Sequence, residues 1–435
     1  MTADVIFTTL DNGVRVVVYP LSHLATASVS VFVRSGSQHE SKRLNGIGHV
    51  IEHMAFKGTR TRDCQQINLD AERLGAEVNA HTDKDHTAFH MRGHARDAGT
   101  FIGMMGDIVQ NSTFPDEELV RERQVLLHEY AEDEDDGMSV AFKLFDNACY
   151  GDHAAAQPVI GTRANLRRLT RDDLVAFVAG QYTGANTIVG IAGHVDPDRM
   201  VDAARAAFGR MPRGEANRID APAYLGGLRS RRGGLGDQVH IVLGFPVPAL
   251  AEDHYAYSLA AALFGEGMSS PFLDSVRERR GLVYHADCYT DVRDAYGQFV
   301  IEASTSPQNL DEFLLELTRL LHQHSEIIDP VDLERARNQL TVRTLFAQEA
   351  SEERLEQDAV DLFALERIRS QEELLTGIAG ISSHQVREAF IRMLDARAAV
   401  GLAGKVGKGV EERIAGMRIV AHRPSDQPGC LPKQT

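Results

Sequence analysis

An internal repeat is the feature that most restricts the fold of this 435-residue chain. Residues 189–195 (VGIAGHV) and 400–406 (VGLAGKV) agree at five of seven positions, at an offset of 211 residues (400 − 189). Residues 119–126 (LVRERQVL) and 333–340 (LERARNQL) agree at four positions, at an offset of 214 residues (333 − 119). Two independent matches at nearly one offset indicate two copies of a domain of about 210 residues.

The repeat predicts two homologous domains and a short connection between them. Residues 1–215 form the first domain, which carries the candidate metal ligands described below, and residues 233–435 form the second. Residues 213–234 are rich in glycine, arginine and proline, which is typical of a linker, and we place the linker at residues 216–232.

Local patterns within the first copy predict both strands and helices. Asn12-Gly13 between two β-rich runs predicts a hairpin, and residues 77–91 predict a second one. Apolar periodicity predicts helices over residues 47–56, 101–110 and 115–132. We therefore expect an α+β fold in which each domain is a largely antiparallel sheet packed with helices.

The composition excludes several classes of protein. The chain has 46 basic and 62 acidic residues, a formal charge of −16, which argues against nucleic acid as a partner. No apolar run approaches the roughly 18 residues of a membrane helix, and the N-terminus does not resemble a targeting segment. The four cysteines lie far apart with no Cys-x-x-Cys pair, which is typical of a reducing compartment. We expect a cytoplasmic protein that binds no membrane, with the mitochondrial matrix as the alternative.

His49 and His53 stand four residues apart within the predicted helix 47–56. Side chains at i and i+4 lie on one helix face, so both imidazoles can reach one metal ion. Glu52 borders the same face and could accept a proton from an attacking water molecule. This pattern predicts a metal-dependent hydrolase.

A catalytic zinc ion takes three protein ligands and keeps one position open. Glu122 and Glu129 lie on one stripe of the predicted helix 115–132, on the face expected to be buried. The second copy has Ala336 and Arg343 at these two positions, as expected if only the first copy binds metal. The alternative is a histidine pair in the core beside a solvated glutamate-rich helix. Spacing alone leaves both Glu122 and Glu129 open as the third ligand.

Three segments of the first copy carry a family resemblance: residues 49–53 (HVIEH), 56–59 (FKGT) and 74–80 (LGAEVNA). Together they resemble the inverted-motif zinc peptidases of the pitrilysin and insulinase family. The half-length branch is most similar, namely the catalytic subunit of the mitochondrial processing peptidase and its bacterial relatives. The separation of 76 positions between His53 and Glu129 (129 − 53) matches that branch, and the resemblance extends from about residue 8 to residue 406.

The resemblance implies a metal site in the first copy. His49, His53 and Glu129 would be the ligands of one zinc ion per chain, and Glu52 would be the general base. Glu122 matches an additional active-site glutamate that orients a ligand histidine.

The resemblance also implies residues that bind the substrate. Arg277 and Tyr284 of the second copy, seven residues apart, would face the zinc and stabilise the oxyanion. The alternative is a helix-end arginine and a half-buried tyrosine without a catalytic role. Asn79 and Ala80 would bind the peptide as an added β-strand.

We therefore expect a zinc endopeptidase that cleaves extended, unfolded peptides. Two half-length chains would form the active assembly, as a homodimer or, alternatively, as a heterodimer with a related chain. One rival interpretation is a non-catalytic assembly subunit. A second rival is a catalytic subunit that needs a partner chain to supply the arginine and the tyrosine.

Two further features have less specific interpretations. His81, His86, His90 and His94 suggest a second metal site, but a hairpin alternates its faces, so surface or hydrogen-bonded histidines are predicted instead. The acidic run Glu132–Asp136 is expected either to be a solvated helix end or to attract basic substrates.

Overall fold

The computed structural model describes residues 5–420 and consists of two α+β halves. The strands of the first half are β1 (Ile6–Thr9), β2 (Arg15–Pro20), β3 (Thr26–Val33), β4 (Glu77–Thr82), β5 (Thr87–His94) and β6 (Thr187–Gly193). Its helices are α1 (Ile47–Ala55), α2 (Cys64–Arg73), α3 (Ala98–Asn111), α4 (Asp116–Asp135), α5 (Gly137–Tyr150), α6 (Arg163–Arg168), α7 (Arg171–Gln181) and α8 (Pro197–Phe208).

The second half repeats this order of elements. Its strands are β7 (Gly227–Arg232), β8 (Val239–Val247), β9 (Val283–Val292), β10 (Gly297–Thr305) and β11 (Ala399–Gly404). Its helices are α9 (Tyr255–Gly265), α10 (Pro271–Leu273), α11 (Leu310–Glu326), α12 (Pro330–Glu349), α13 (Ser351–Leu365), α14 (Gln371–Ala379), α15 (Ser383–Asp395) and α16 (Val410–Ala415). A π-helical turn over Asp274–Arg279 follows α10. No helix within residues 5–420 is both long enough and apolar enough to cross a bilayer.

The two sheets have the same strand order. The first runs β1-β2-β6-β3-β5-β4 and the second runs β7-β11-β8-β10-β9, so β1 is the only addition among the described strands. Each sheet contains one parallel pair, β2 with β6 and β7 with β11, and its other pairs are antiparallel. The predicted α+β class and the predicted duplication are confirmed.

The predicted linker 216–232 ends too late. Its last six residues form β7, which pairs in parallel with β11 at the edge of the second sheet. The sequence of β7, GLRSRR, resembles a linker because edge strands often carry exposed charges that prevent pairing with other chains. The second sheet therefore begins at Gly227, within the predicted linker.

The halves exchange one helix each. Helix α5 of the first half packs on the second sheet, and α13 of the second half packs on the first sheet. The buried apolar residues of α5 in this contact include Val140, Ala141, Phe145 and Ala148. Those of α13 are Leu355, Ala359, Leu362 and Phe363. Because each sheet is covered partly by the other half, the two repeats are bound by shared cores rather than by a linker alone.

The turns of the two central hairpins meet between the halves. Asp83 and Arg293 are equivalent turn residues, since each donates its amide N–H to the carbonyl three residues later, His86 and Tyr296, at 2.8 Å. The buried Arg293 guanidinium binds Asp83, with Nη1 3.2 Å from Oδ2, and also binds Asp85. This ion-pair group joins the repeats next to β4, the strand that borders the candidate site.

Candidate metal centre

Helix α1 is anchored at its N-terminus by Glu40. Its N-cap is Gly46, with φ of 97°, and no cap side chain accepts from the first turn. The Glu40 carboxylate accepts instead from the amides of Gly46 at 2.7 Å and Gly48 at 2.8 Å, and from Asn45 Nδ2 at 3.0 Å. Burial raises the pKa of Glu40 to about 7, although these three hydrogen bonds act in the opposite direction. Glu40 thus satisfies helix N–H groups that would otherwise be unpaired and fixes the start of α1.

His49, His53 and Glu129 converge between α1 and α4. Glu129 Oε2 lies 3.7 Å from His49 Nε2 and 3.4 Å from His53 Nε2. One potential ligand atom from each of the three residues lies within 4.8 Å of the other two. The two imidazole rings are nearly perpendicular, with centroids 4.7 Å apart. The predicted histidine pair and one of the two predicted carboxylates therefore share one site.

Glu122 lies behind this cluster. It is buried, and its Oε2 is 3.2 Å from His53 Nδ1 while its Oε1 is 2.6 Å from Lys57 Nζ. The contact with His53 Nδ1 leaves Nε2 of the same ring facing Glu129. A hydrogen bond to the second nitrogen is the usual way to fix the tautomer and orientation of a ligand histidine.

The residues present fit a zinc ion. Two imidazole nitrogens and one carboxylate oxygen are a typical catalytic zinc donor set. Burial, and secondarily the neighbouring His53, lower the pKa of His49 to about 4, so this ring is neutral at pH 7, as a metal ligand must be. Glu129 has a side chain that is 38% exposed, which leaves one side of the cluster open.

Glu52 lies at the wall of a cavity of about 480 Å³ beside the cluster. The hydroxyl of Thr82, at the end of β4, donates to Glu52 Oε2 at 2.7 Å. His49 and Glu129 line the same cavity, together with His81 and residues 158–160. Glu52 is therefore held in position by the strand that lies next to the candidate metal.

Asn79 and Ala80 lie on β4, which is the edge strand of the first sheet. Asn79 is exposed, and its Oδ1 accepts from the amide of Ala80 at 2.9 Å. Among the described strands, β4 pairs only with β5, so its other edge is open for an added strand.

Arg277 and Tyr284 are not joined to the metal cluster within one chain. Arg277 lies in the π-helical turn, where its Nη1 is 3.8 Å from Met268 Sδ. Tyr284 is near the start of β9, an edge strand of the second sheet, and is 63% exposed. Within residues 5–420, neither side chain forms a hydrogen bond or ion pair with His49, His53 or Glu129.

The acidic run after Glu129 is partly neutralised. Asp133 and Glu134 form ion pairs with Lys143, and Glu134 also binds Arg231 of β7 at 2.6 Å. The Asp136 carboxylate caps α5 by accepting from the amide of Ser139 at 2.9 Å. Much of the run therefore joins α4 to α5 and to the second half.

Sequence reasoning did not assign roles to Glu40, Lys57 or Thr82. Lys57 follows the histidine motif by one helical turn, so its position is a signal that could have been used. Glu40 and Thr82 reach α1 from a loop and a strand, and only the fold brings them there.

Comparison with known proteins assigns both halves of the chain to one peptidase family. Residues 16–163 match the family model described as insulinase (peptidase family M16), and residues 168–340 match the peptidase M16 inactive domain. A protein of Rickettsia felis is 30% identical over 379 residues, covering 87% of this chain and 92% of that protein. A protein of Rickettsia bellii is 29% identical over 397 residues, covering 91% and 96%. Both are named uncharacterized zinc proteases.

The fold is also found in a solved structure of a protease from Helicobacter pylori. The two chains superpose with a TM-score of 0.84 at 20% identity, covering 92% of this chain and 99% of the other. With the family matches over both halves and the two relatives, this places the chain in the insulinase family of peptidases, peptidase family M16.

Proposed function

We propose that the protein is a zinc-dependent endopeptidase that hydrolyses peptide bonds in extended, unfolded peptides. The observation that carries this proposal is the convergence of His49, His53 and Glu129 beside Glu52, in a cavity next to a free strand edge. The names of the two Rickettsia relatives support zinc and proteolysis. The complete set of ligands disfavours a non-catalytic assembly subunit.

Each polar residue of the site has a definite task in this reaction. A zinc ion held by His49, His53 and Glu129 would supply Lewis-acid chemistry and lower the pKa of water toward 7. Glu52 accepts the proton of the attacking water and later passes it to the leaving amine. The bond from Thr82 to Oε2 fixes the Glu52 carboxylate for both transfers.

The substrate would add as a strand along the open edge of β4. The backbone of Asn79 and Ala80 would pair with the peptide main chain, and the exposed amide of Asn79 would offer a further hydrogen bond. Hydrogen bonds between main chains do not depend on the identity of most side chains. We therefore expect loose sequence preference and a requirement for an unfolded peptide.

The oxyanion would be stabilised by Arg277 and Tyr284 from a second copy of the chain. Support for this homodimer comes from the exposure of Tyr284 and from the lack of contact, within residues 5–420 of one chain, between these two residues and the metal cluster. A heterodimer with a related chain is the alternative. We place the active assembly in the cytoplasm, for which the free state of the three described cysteines is the support.

Glu52→Gln tests the proposed chemistry. The variant should retain zinc and lose cleavage of a quenched unfolded peptide, because the base is removed while the ligands stay. Glu72→Gln, an equal change at an exposed position of α2, is the matched control and should keep full activity. Turnover by Glu52→Gln within tenfold of the parent would show that Glu52 is not the base.

Mixing two inactive variants tests the assembly. Tyr284→Phe should retain zinc and lose about 2–4 kcal/mol of transition-state stabilisation. When Glu52→Gln and Tyr284→Phe chains exchange, about a quarter of the sites should be intact, since half of the dimers are mixed and one of their two sites is complete. Exchange is verified by copurification of differently tagged chains. No recovery after verified exchange would mean that the site does not draw Tyr284 from a second copy.

A further inference from the structure

A second group of potential metal ligands lies where α13 of the second half meets the central hairpin of the first. Glu356 Oε1 is 3.0 Å from His81 Nε2 and 3.3 Å from His86 Nε2. The three residues come from β4, from the turn before β5 and from α13. We propose that His81, His86 and Glu356 bind a second divalent transition-metal ion, of which Zn²⁺ is the expected one. This proposal is independent of the proposed peptidase activity.

The donor set repeats that of the first cluster. In both groups a single glutamate oxygen is approached by the Nε2 atoms of two histidines, at 3.4 and 3.7 Å for Glu129 and at 3.0 and 3.3 Å for Glu356. One ligand atom of each residue again lies within 4.8 Å of the other two. Imidazole nitrogen with carboxylate oxygen suits zinc and neighbouring divalent ions rather than Ca²⁺ or Mg²⁺, which prefer oxygen ligands.

A supporting hydrogen-bond chain fixes the ring of His81. His90 Nε2 lies 3.3 Å from His81 Nδ1, and His90 Nδ1 lies 2.9 Å from the hydroxyl of Ser30. This contact occupies the second nitrogen of His81 and leaves Nε2 facing Glu356, as the Glu122 contact does for His53. His90 is buried and stacks on His81, with ring centroids 5.2 Å apart. These contacts agree with the prediction of surface or hydrogen-bonded histidines, and the proposal adds a metal ion to two of them.

The second half provides an internal control. The turn bonds make Tyr296 the equivalent of His86, and the strand register makes Val300 the equivalent of His90. By the 214-residue offset of the exchanged helices, Phe142 is the equivalent of Glu356. Tyr296 and Val300 are core residues, and Phe142 packs against the same core. The positions of His86, His90 and Glu356 are thus filled in the other half by side chains of its core. The equivalent of His81 is Asp291, which forms an ion pair with Arg293 instead.

One side of the cluster is accessible and the other is closed. His86 is 3% exposed, and its Nδ1 is buried with no hydrogen-bond partner among the described residues. His81 and Glu356 have side chains that are 38% and 37% exposed, so an ion can enter and keep an open coordination position.

A metal here would tie the two halves together beside the candidate active site. It would link α13 to β4 at the residue before Thr82, which holds Glu52. The proposal raises the expected count from one zinc ion per chain to two. It also assigns one ligand, Glu356, to the second domain, which the sequence predicted to contribute none.

Zinc stoichiometry of purified full-length chains tests the proposal. Chains stripped with chelator are dialysed against Zn²⁺ and measured by elemental analysis. The parent should bind two equivalents, Glu356→Gln one, and the double variant His53→Ala/Glu129→Gln one. Combining all three changes should leave none. Glu353→Gln, an exposed residue one turn earlier on α13, is the matched control and should bind two.

Two further measurements keep the result decisive. His81→Gln changes a half-exposed side chain and should also bind one equivalent. This second variant decides the test if circular dichroism shows that Glu356→Gln is misfolded. Zn²⁺ should slow hydrogen exchange over residues 81–90 and 351–365 of His53→Ala/Glu129→Gln. If the parent binds one equivalent, and His53→Ala/Glu129→Gln none, the cluster is only an ion pair and the proposal fails. It fails equally if Glu356→Gln and His81→Gln still bind two.

Discussion

The two helices that carry the candidate metal ligands in the first half have counterparts without those ligands in the second half. Helix α1 carries both ligand histidines, whereas α9 (YAYSLAAALFG) has no histidine or acid and is buried throughout residues 259–264. Helix α4 buries Glu122, whereas α12 has Ala336 there, with no exposed surface. Arg343, the counterpart of Glu129, points outward and binds Glu266 at 2.9 Å. The fold therefore forms without these polar residues, and the first half retains them with dedicated partners.

Placing the carboxylate of the first half into the second gives the largest expected effect. Ala336→Glu should lower the free energy of unfolding by about 3–5 kcal/mol, because the buried charge would have no counterpart of Lys57 or His53. Chemical denaturation followed by circular dichroism measures the change.

Asn338→Glu is the matched control for that variant. Asn338 lies two residues later on α12 and is exposed, so the same added charge should change stability by less than about 0.5 kcal/mol. A loss of under 1 kcal/mol for Ala336→Glu would mean that the second half can accommodate the carboxylate, and that the contrast between the halves is not one of packing.

The exchanged helices α5 and α13 also differ, because α13 buries a carboxyl group that α5 lacks. Asp358 of α13 is 3% exposed beside the first sheet, while the 214-residue offset places Leu144 at this position of α5. Burial raises the pKa of Asp358 to about 6, although Tyr19 and Arg354 lower it. Because the folded state holds this proton more tightly than the unfolded state, stability from Asp358 is complete below about pH 4 and is lost as the pH rises through 6.

Asp358→Asn should remove that pH dependence. Its free energy of unfolding relative to the parent should rise by about 3 kcal/mol between pH 4 and pH 7, from a shift of about two pKa units. Urea denaturation across this range measures it, with the exposed Asp220→Asn as control. A difference between the variant and the parent that does not change with pH would contradict the raised pKa.

Glu122→Gln tests whether the buried carboxylate of the first half orients the ligand histidine His53. The amide keeps the shape of the side chain but weakens its contacts with His53 and Lys57, so His53 is oriented less firmly. Zinc affinity should fall by about 10–100-fold, the usual cost of losing a partner of a ligand histidine. Competition with a zinc chelator measures it, and Glu117→Gln in the exposed first turn of α4 should leave affinity unchanged. Unchanged affinity in Glu122→Gln would make Glu122 a structural residue only.

The sequence predicted what is encoded by local periodicity and by the repeat. Hairpins, the helix of His49 and His53, and the carboxylate stripe of α4 all follow from spacing. The exchange of α5 and α13 was not predictable, because the sequence of neither helix shows on which of the two homologous sheets it packs. For the same reason Glu356 could not be assigned to the His81 cluster, since it is 275 residues away and its helix packs on the opposite half. Only the resemblance, and not spacing, ranked Glu129 above Glu122.

The smallest expected effect concerns the acidic run after Glu129. The corresponding end of α12 has only one acidic residue, Glu349. Asp133 and Glu134 are in ion pairs and Asp136 caps α5, which leaves mainly Glu132 and Asp135 facing solvent. Such charges are screened within about 8 Å at physiological salt. Basic peptides should therefore exceed matched acidic ones by less than tenfold in kcat/KM at low salt and by nothing at 0.15 M, roughly physiological ionic strength. Glu132→Gln/Asp135→Asn should abolish the low-salt preference, whereas a tenfold preference that persists at physiological salt would show that the paired carboxylates still act on the substrate.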